Sequence, residues 1–309
     1  MPVPLADDVL AKLDIASGGI HPGFRPVHAK GVMVAGTFTP STAAVDLTRA
    51  PHASNPTPVT ARFSLAPGIP TVADNAATGV GPQGMAVRFH LDEHVHTDII
   101  SHSHNGFPAR NGEEFLAFLD AAIASGPGSV VPPPIIAFLA SHPAAKAYVE
   151  APKPLSASYA QQAYFAVTAF KFTSVVGSSR FGRFRIQPQA GTSFLTPEEA
   201  AAKSANFLAD ELKTRIASGP LLFQVSVQLA ESGDVVDNST VIWPETRTQV
   251  EFGTISLTTL VDADAPEIRK IIFDLVPRVD GIDTAGDPLT DLRSDIYLLS
   301  GRRRRTAKT

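Results

Sequence analysis

The residues able to do chemistry gather near the two ends of the chain. Near the start, Arg25-Pro26-Val27-His28-Ala29-Lys30-Gly31 sets a histidine between two cations, just ahead of the apolar run Val32 to Phe38. That pattern predicts a polar entry into a buried strand. An imidazole at such a mouth can exchange protons near neutral pH, although the same pattern also describes a hydrogen-bonded core histidine. Near the other end, Arg293 precedes Tyr297 by four residues, which puts guanidinium and phenol on one face of a helix. Two His-x-His pairs, His94/His96 and His102/His104, place imidazoles on a shared strand face, but neither has a third ligand at zinc spacing.

The remaining sequence excludes several function classes. There is no cysteine, so disulfides, thiol nucleophiles and thiolate metal sites are absent. A net charge of −4 gives no field that favours nucleic acid or an anionic membrane. No apolar run reaches the ~18 residues of a membrane span, and the first residues lack the charged and apolar regions of a secretory signal. A cytoplasmic protein with no membrane or nucleic-acid partner is expected. Gly79-Val80-Gly81-Pro82-Gln83-Gly84 approaches a dinucleotide fingerprint, but it contains a Pro and leads into a strand pattern instead of a helix. The Arg302–Arg305 run reads as a solvated tail.

These residues need elements to position them. Apolar spacing predicts helices over Asp7–Ala16, Gly112–Ala124 and Leu289–Leu299, with short helical pieces near Ile135–Ala140 and Ala144–Val149. Thr196-Pro197-Glu198-Glu199 is a capping box, and the helix it opens stops at Gly219-Pro220. Strands are predicted over Thr60–Leu65, Met85–Leu91, Asp98–Ile100, Tyr164–Phe172, Gly182–Gln187, Leu221–Leu229 and Thr246–Leu257. Glu267–Phe273 fits helix or strand. Pro67–Gly84 is a long loop, and loops of that length are usually functional or mobile. With 44% hydrophobic residues, there is ample core material. Strands dominate without βαβ alternation, which suits an α+β fold: an antiparallel barrel with helices outside.

Six segments, in order, resemble the catalase family. Arg25 to Gly31 is similar to the segment around its distal His. Arg62-Phe63-Ser64 resembles the strand whose Arg meets a haem propionate and whose Ser bonds that His. Gly84 to Phe89 resembles its glycine-led strand, Phe115 to Phe118 its F-P-x-F and Val241 to Pro244 its V-W-P. Asp287 to Tyr297 resembles its closing R-x-x-x-Y. The family holds haem iron through a Tyr. The resemblance therefore implies one haem b, with Tyr297 as axial ligand and metal-binding residue. Arg293 is the cation that helps a phenol of pKa about 10 to ionise, and His28 is the distal acid–base group. Arg25 and Arg62 are implied propionate partners. Ser64, Val27 and Phe115 belong to the pocket. The distal Asn is assigned to Asn105, with His102 as the alternative, and Arg304 stands at the family's offset for a last arginine.

The expected protein is a single domain over 1–309, of the minimal catalase-related group. The expected reaction is peroxidase reduction of organic hydroperoxides and hydrogen peroxide by a small organic electron donor. A homo-oligomer, a dimer, is the expected assembly. Three alternatives stand beside it: a true catalase, a hydroperoxide rearrangement of the allene oxide synthase kind, and a non-catalytic haem or small-molecule carrier. Val27 speaks against rearrangement, because that group carries Thr before the distal His.

Overall fold

The computed structural model describes residues 4–76, 81–262, 265, 268 and 271–307. Ten strands form one antiparallel sheet: β1 (Gly31–Pro40), β2 (Thr57–Leu65), β3 (Gln83–Asp92), β4 (Val95–His102), β5 (Tyr164–Phe165), β6 (Phe170–Thr173), β7 (Ser179–Pro188), β8 (Leu221–Leu229), β9 (Gln249–Val261) and β10 (Ile282–Thr284). The sheet runs from β10 through β6, β7, β5, β4, β3, β2, β1 and β9 to β8, and β7 also pairs with β8. That last pairing closes eight strands into a barrel and leaves β6 and β10 as an outer flap on β7. Closure removes the exposed edges that would otherwise template aggregation.

Strand alternation sorts the chain into two environments. On β2 and β3, Val59, Ala61, Phe63, Leu65, Met85, Val87 and Phe89 turn into the lumen and are buried. Phe38, Phe184, Phe223 and Phe252 join them, with Phe38 edge-on to Phe89 at 5.2 Å and Phe184 edge-on to Phe252 at 5.5 Å. Edge-to-face rings pack densely, so the lumen is a core and not a channel.

The outer face of β2–β4 carries the polar alternates: Arg62, Ser64, Gly84, Arg88, Asp98 and His102. Helices cover this face. α1 (Pro4–Ala16), α3 (Gly112–Ala124) and α8 (Pro288–Thr306) share a second core built from Val9, Leu10, Leu13, Leu119, Leu289, Leu292 and Ile296. Asn111 caps α3 by accepting from the Glu114 N–H, and Asp287 caps α8 by accepting from the Leu289 N–H. α4 (Pro134–Ser141) and α5 (Pro143–Glu150) follow α3, while α2 (Ala44–Leu47), α6 (Pro197–Ala201) and α7 (Phe207–Ser218) decorate the barrel.

The α+β barrel with outer helices is as expected. Three local differences have physical causes. The Tyr164–Phe172 strand is two short strands, because residues 166–169 leave the ladder between β5 and β6. The helix predicted from Thr196 is two helices, α6 and α7, separated by residues 202–206. The basic run is not a tail: Arg302–Arg305 form the last turns of α8, where cations oppose the negative helix end. Arg303 makes a bidentate pair with Asp14 of α1 at 2.5 and 2.7 Å. Glu267, Arg269 and Lys270 of the ambiguous Glu267–Phe273 stretch lie outside the described residues, as do Gly79 and Val80 of the near-fingerprint.

Candidate active site

Between the barrel's outer face and the helical layer lies a cavity of about 360 Å³, the size range of small-ligand sites. One wall is a row across three strands. Ser64 of β2 pairs with Gly84 of β3, and Gly84 pairs with His102 of β4. The His28 ring lies over the glycine: a Cβ on Gly84 would sit 2.9 Å from both Cε1 and Nδ1 of His28. No other residue leaves room for the imidazole there.

His28 is held from several sides. Its Nδ1 is 3.0 Å from the Ser64 hydroxyl. Its N–H donates to the Ala66 carbonyl at 2.8 Å, and Arg62 Nη2 donates to the His28 and Ala29 carbonyls at 2.8 and 3.1 Å. Its φ of +56° is left-handed, a conformation uncommon outside glycine and typical of functional positions. Lys30 continues the brace. It pairs with Asp74 at 2.7 Å and donates to the Val72 and Ala205 carbonyls. Asp74 in turn accepts from the Leu208 N–H in the first turn of α7. The loop after β2 is thereby tied to the distal segment.

The facing wall is α8. Arg293, Ile296, Tyr297, Ser300 and Arg304 recur at three- and four-residue spacing and all line the cavity. Arg293 donates from Nε and Nη2 to the Tyr297 hydroxyl oxygen at 3.2 and 3.0 Å. Two donors on one phenol oxygen stabilise negative charge there. Arg293 is itself placed by Thr168, 3.4 Å from Nη1, and by the Phe107 ring, 5.5 Å from its Cζ.

Charge in the cavity is one-sided. Arg25, Arg62, Arg293 and Arg304 line it, and no lining residue is acidic among those described. Burial, then the charges of Arg62 and Arg304, push Arg25 well below the ordinary guanidinium value. Burial, then Arg62, Arg25 and Arg293, bring His28 down to about 3. His102 also falls to about 3, from burial first and then Arg293, His28 and His104. Both imidazoles are neutral bases at pH 7. Clustered arginines call for an anion.

A model of the family described as Catalase matches residues 23–308. The chain belongs to the catalase family. It is similar to two proteins named catalase-related peroxidase. The one from Mycolicibacterium paratuberculosis is 32% identical over 92% of this chain and 90% of that protein. The one from Synechococcus elongatus is 33% identical over 96% of this chain and 88% of that protein. Catalase-2 of Bacillus subtilis is 27% identical over 88% of this chain but only 42% of its own length. The fold matches a crystal structure of a fungal catalase with a TM-score of 0.79 at 20% identity, over 91% of this chain and 59% of that one. The chain thus falls in the minimal catalase-related group and is an oxidoreductase acting on peroxide, and the family implies a haem cofactor. The residues fit that group. A doubly hydrogen-bonded phenol suits an iron ligand, the arginine cluster suits the two haem carboxylates, and the wall between them is apolar.

The cavity brings together His28, Arg25, Val27, Arg62, Ser64, Phe115, Arg293 and Tyr297. It does not include Asn105. The chain bends away after His102, so Asn105 lies off the lining with its Oδ1 buried and unpartnered. The alternative, His102, lines the cavity because it occupies the outward register next to Gly84. Arg62 differs in part from expectation, since one of its nitrogens is committed to the distal main chain. Tyr148 of α5 lines the cavity and carries no sequence motif, and Lys30's role rests on a partner 44 residues away. Neither His-x-His pair belongs to a metal-type cluster among the described residues.

Proposed function

We propose that the protein is a b-type haem peroxidase that reduces organic hydroperoxides with a small organic electron donor. The observation that carries this reading is the Arg293 fork on the Tyr297 hydroxyl, in the same cavity as His28. Haem bound there supplies the redox centre that accepts the peroxide's oxidising equivalents. Tyr297 is the residue to hold the iron, and Arg25, Arg62 and Arg304 are those to meet the carboxylates.

The chain's own residues then divide the work. His28, neutral and fixed by Ser64, takes the proton from the inner peroxide oxygen and returns it to the departing outer one. Such general acid–base transfer contributes ~10²–10⁴-fold in rate. His102 gives the outer oxygen its second polar contact, in the place first assigned to Asn105. Phe107, Phe115, Phe118 and Tyr148 form an apolar wall that suits a carbon-bearing hydroperoxide. Val27 offers no hydroxyl to retain the oxygen for rearrangement, so it leaves as alcohol or water.

The test is one preparation and two substrates. Purified protein should carry the absorption spectrum of five-coordinate ferric phenolate haem, and Tyr297→Phe should lose that spectrum or the haem. An alkyl hydroperoxide should drive dye oxidation readily, with weak oxygen release from hydrogen peroxide. Oxygen release near the ~10⁸ M⁻¹s⁻¹ ceiling would instead identify a true catalase.

A further inference from the structure

His102 offers more than a hydrogen bond. It closes the Ser64–Gly84–His102 row, so it flanks the His28 ring on the side opposite Ser64. One strand spacing, about 4.8 Å, separates its backbone from the glycine beneath that ring. Its Nδ1 is buried without a hydrogen-bond partner. The groups that bear on it are Arg293 from α8, His28 from the loop before β1, and His104 beyond β4. Tyr148 lines the same cavity and packs edge-on, at 5.0 Å, to the half-buried His104 two residues beyond His102, so the wall on this side extends toward the surface.

We propose that His102 is a catalytic residue whose imidazole takes the proton an organic donor releases as it is oxidised. This rests on the peroxidase reading above. Two donors AH reduce one hydroperoxide: ROOH + 2 AH gives ROH + H₂O + 2 A•. His28 moves the hydroperoxide's own proton from one oxygen to the other and releases ROH with no net uptake. The oxygen left behind needs two electrons and two protons to leave as water. Each AH supplies one electron to the cofactor and one proton, as its X–H bond breaks. That proton requires an acceptor beside the donor. His102, which lines the cavity, takes it on its imidazole and passes it to the leaving oxygen, twice per cycle. An amide at this position could orient an oxygen but could not carry a proton. Burial and Arg293 keep the imidazole neutral, so it is ready to accept and quick to release.

The test compares a donor that yields a proton with one that does not, using haem-loaded wild type and His102→Asn with an alkyl hydroperoxide. The phenol guaiacol loses an electron and a proton, whereas ferrocyanide loses only an electron. His102→Asn keeps a polar group of similar reach, so both rates carry any loss of peroxide orientation. Guaiacol oxidation should fall at least about tenfold further than ferrocyanide oxidation, within the range of a lost acid–base group. The affinity for cyanide, read by absorption, should stay within about threefold of wild type, because His28 is the base beside that ligand. An equal fall with both donors, or none, overturns the role of His102 and leaves the peroxidase reading standing. A collapse of cyanide affinity makes His102 a positioning residue for His28 and also overturns it. Wild-type protein that oxidises neither donor overturns the peroxidase reading and this inference together.

Discussion

Gly84→Ala is the sharpest probe of the distal wall. Gly84 lies in a strand at an ordinary φ, where Ala replacing Gly would normally add roughly 0.5–1 kcal/mol of stability. Here the new methyl meets His28 Cε1, His28 Nδ1 and Ser64 Oγ, all at 2.9 Å. The ring cannot swing clear, because Ser64 holds its Nδ1 and Arg62 and the Ala66 carbonyl hold its main chain. Overpacking of this kind costs about 1–3 kcal/mol, and stretching the Ser64 bond adds about 1 kcal/mol. The clash therefore outweighs the strand gain, for a net loss of roughly 1–3 kcal/mol and a fall in melting temperature of a few degrees, on the order of 2–4 °C per kcal/mol. Rate should suffer more than stability, since a misplacement of ~1 Å in a catalytic group costs about 10²-fold. The assay is alkyl hydroperoxide turnover per haem, with haem content read by absorption and stability by thermal melting. A haem-replete Gly84→Ala protein that melts at or above wild type and turns over within about threefold of it would refute the packing of His28 on β3.

Other perturbations follow from the same geometry. Ser64→Ala removes the 3.0 Å contact to His28 and should cut turnover by about 5- to 10-fold while leaving haem content intact, a loss of about 1 kcal/mol measured as kcat/KM. Haem dimethyl ester, which lacks free carboxylates, should load more weakly than haem by spectral titration if Arg25, Arg62 and Arg304 meet those groups. Acid should destabilise the fold through its buried imidazoles. His28 and His102 sit near 3 and His52 near 4 in the folded state, against about 6.5 unfolded. The unfolded chain thus binds more protons below about 6.5, and stability falls with pH from there to about 3, by at most about 1.4 kcal/mol per pH unit per histidine. Melting curves of His102→Asn across that window should show a shallower slope than wild type.

The elements were legible where the signal was local. Gly112–Ala124 was readable because its apolar residues keep helical spacing. Leu221–Leu229 was readable because it alternates cleanly. The length of α8 was not, because four arginines in a row mimic a solvated end. The stripe Arg293, Tyr297, Ser300, Arg304 was the available sign that the helix continues along the cavity. The three-residue strand β10 is held by its pairing with β6, across more than a hundred residues, and no short-range pattern marks it. In the site, His28 and Tyr297 stood out by neighbouring residue types. Residue type put Asn105 ahead of His102, because an amide looks the better hydrogen-bonding match. Only the register of β4 against Gly84 reverses that order. Lys30 had no local partner to give it a role, since Asp74 reaches it through a loop.

His28 and Tyr297 stand far apart in the same chain, on opposite walls of one cavity. A ribosome adding ~5–20 residues each second exposes the imidazole roughly 15–50 s before the phenol. Throughout that interval the nascent chain can shape the barrel and the Ser64–Gly84–His102 row but lacks Tyr297, the residue proposed to hold iron. On the proposed function, cofactor capture is thereby deferred until α8 has docked on α1 through Arg303 and Asp14. On that same proposal, a chain interrupted before α8 would not hold redox-active iron in the open.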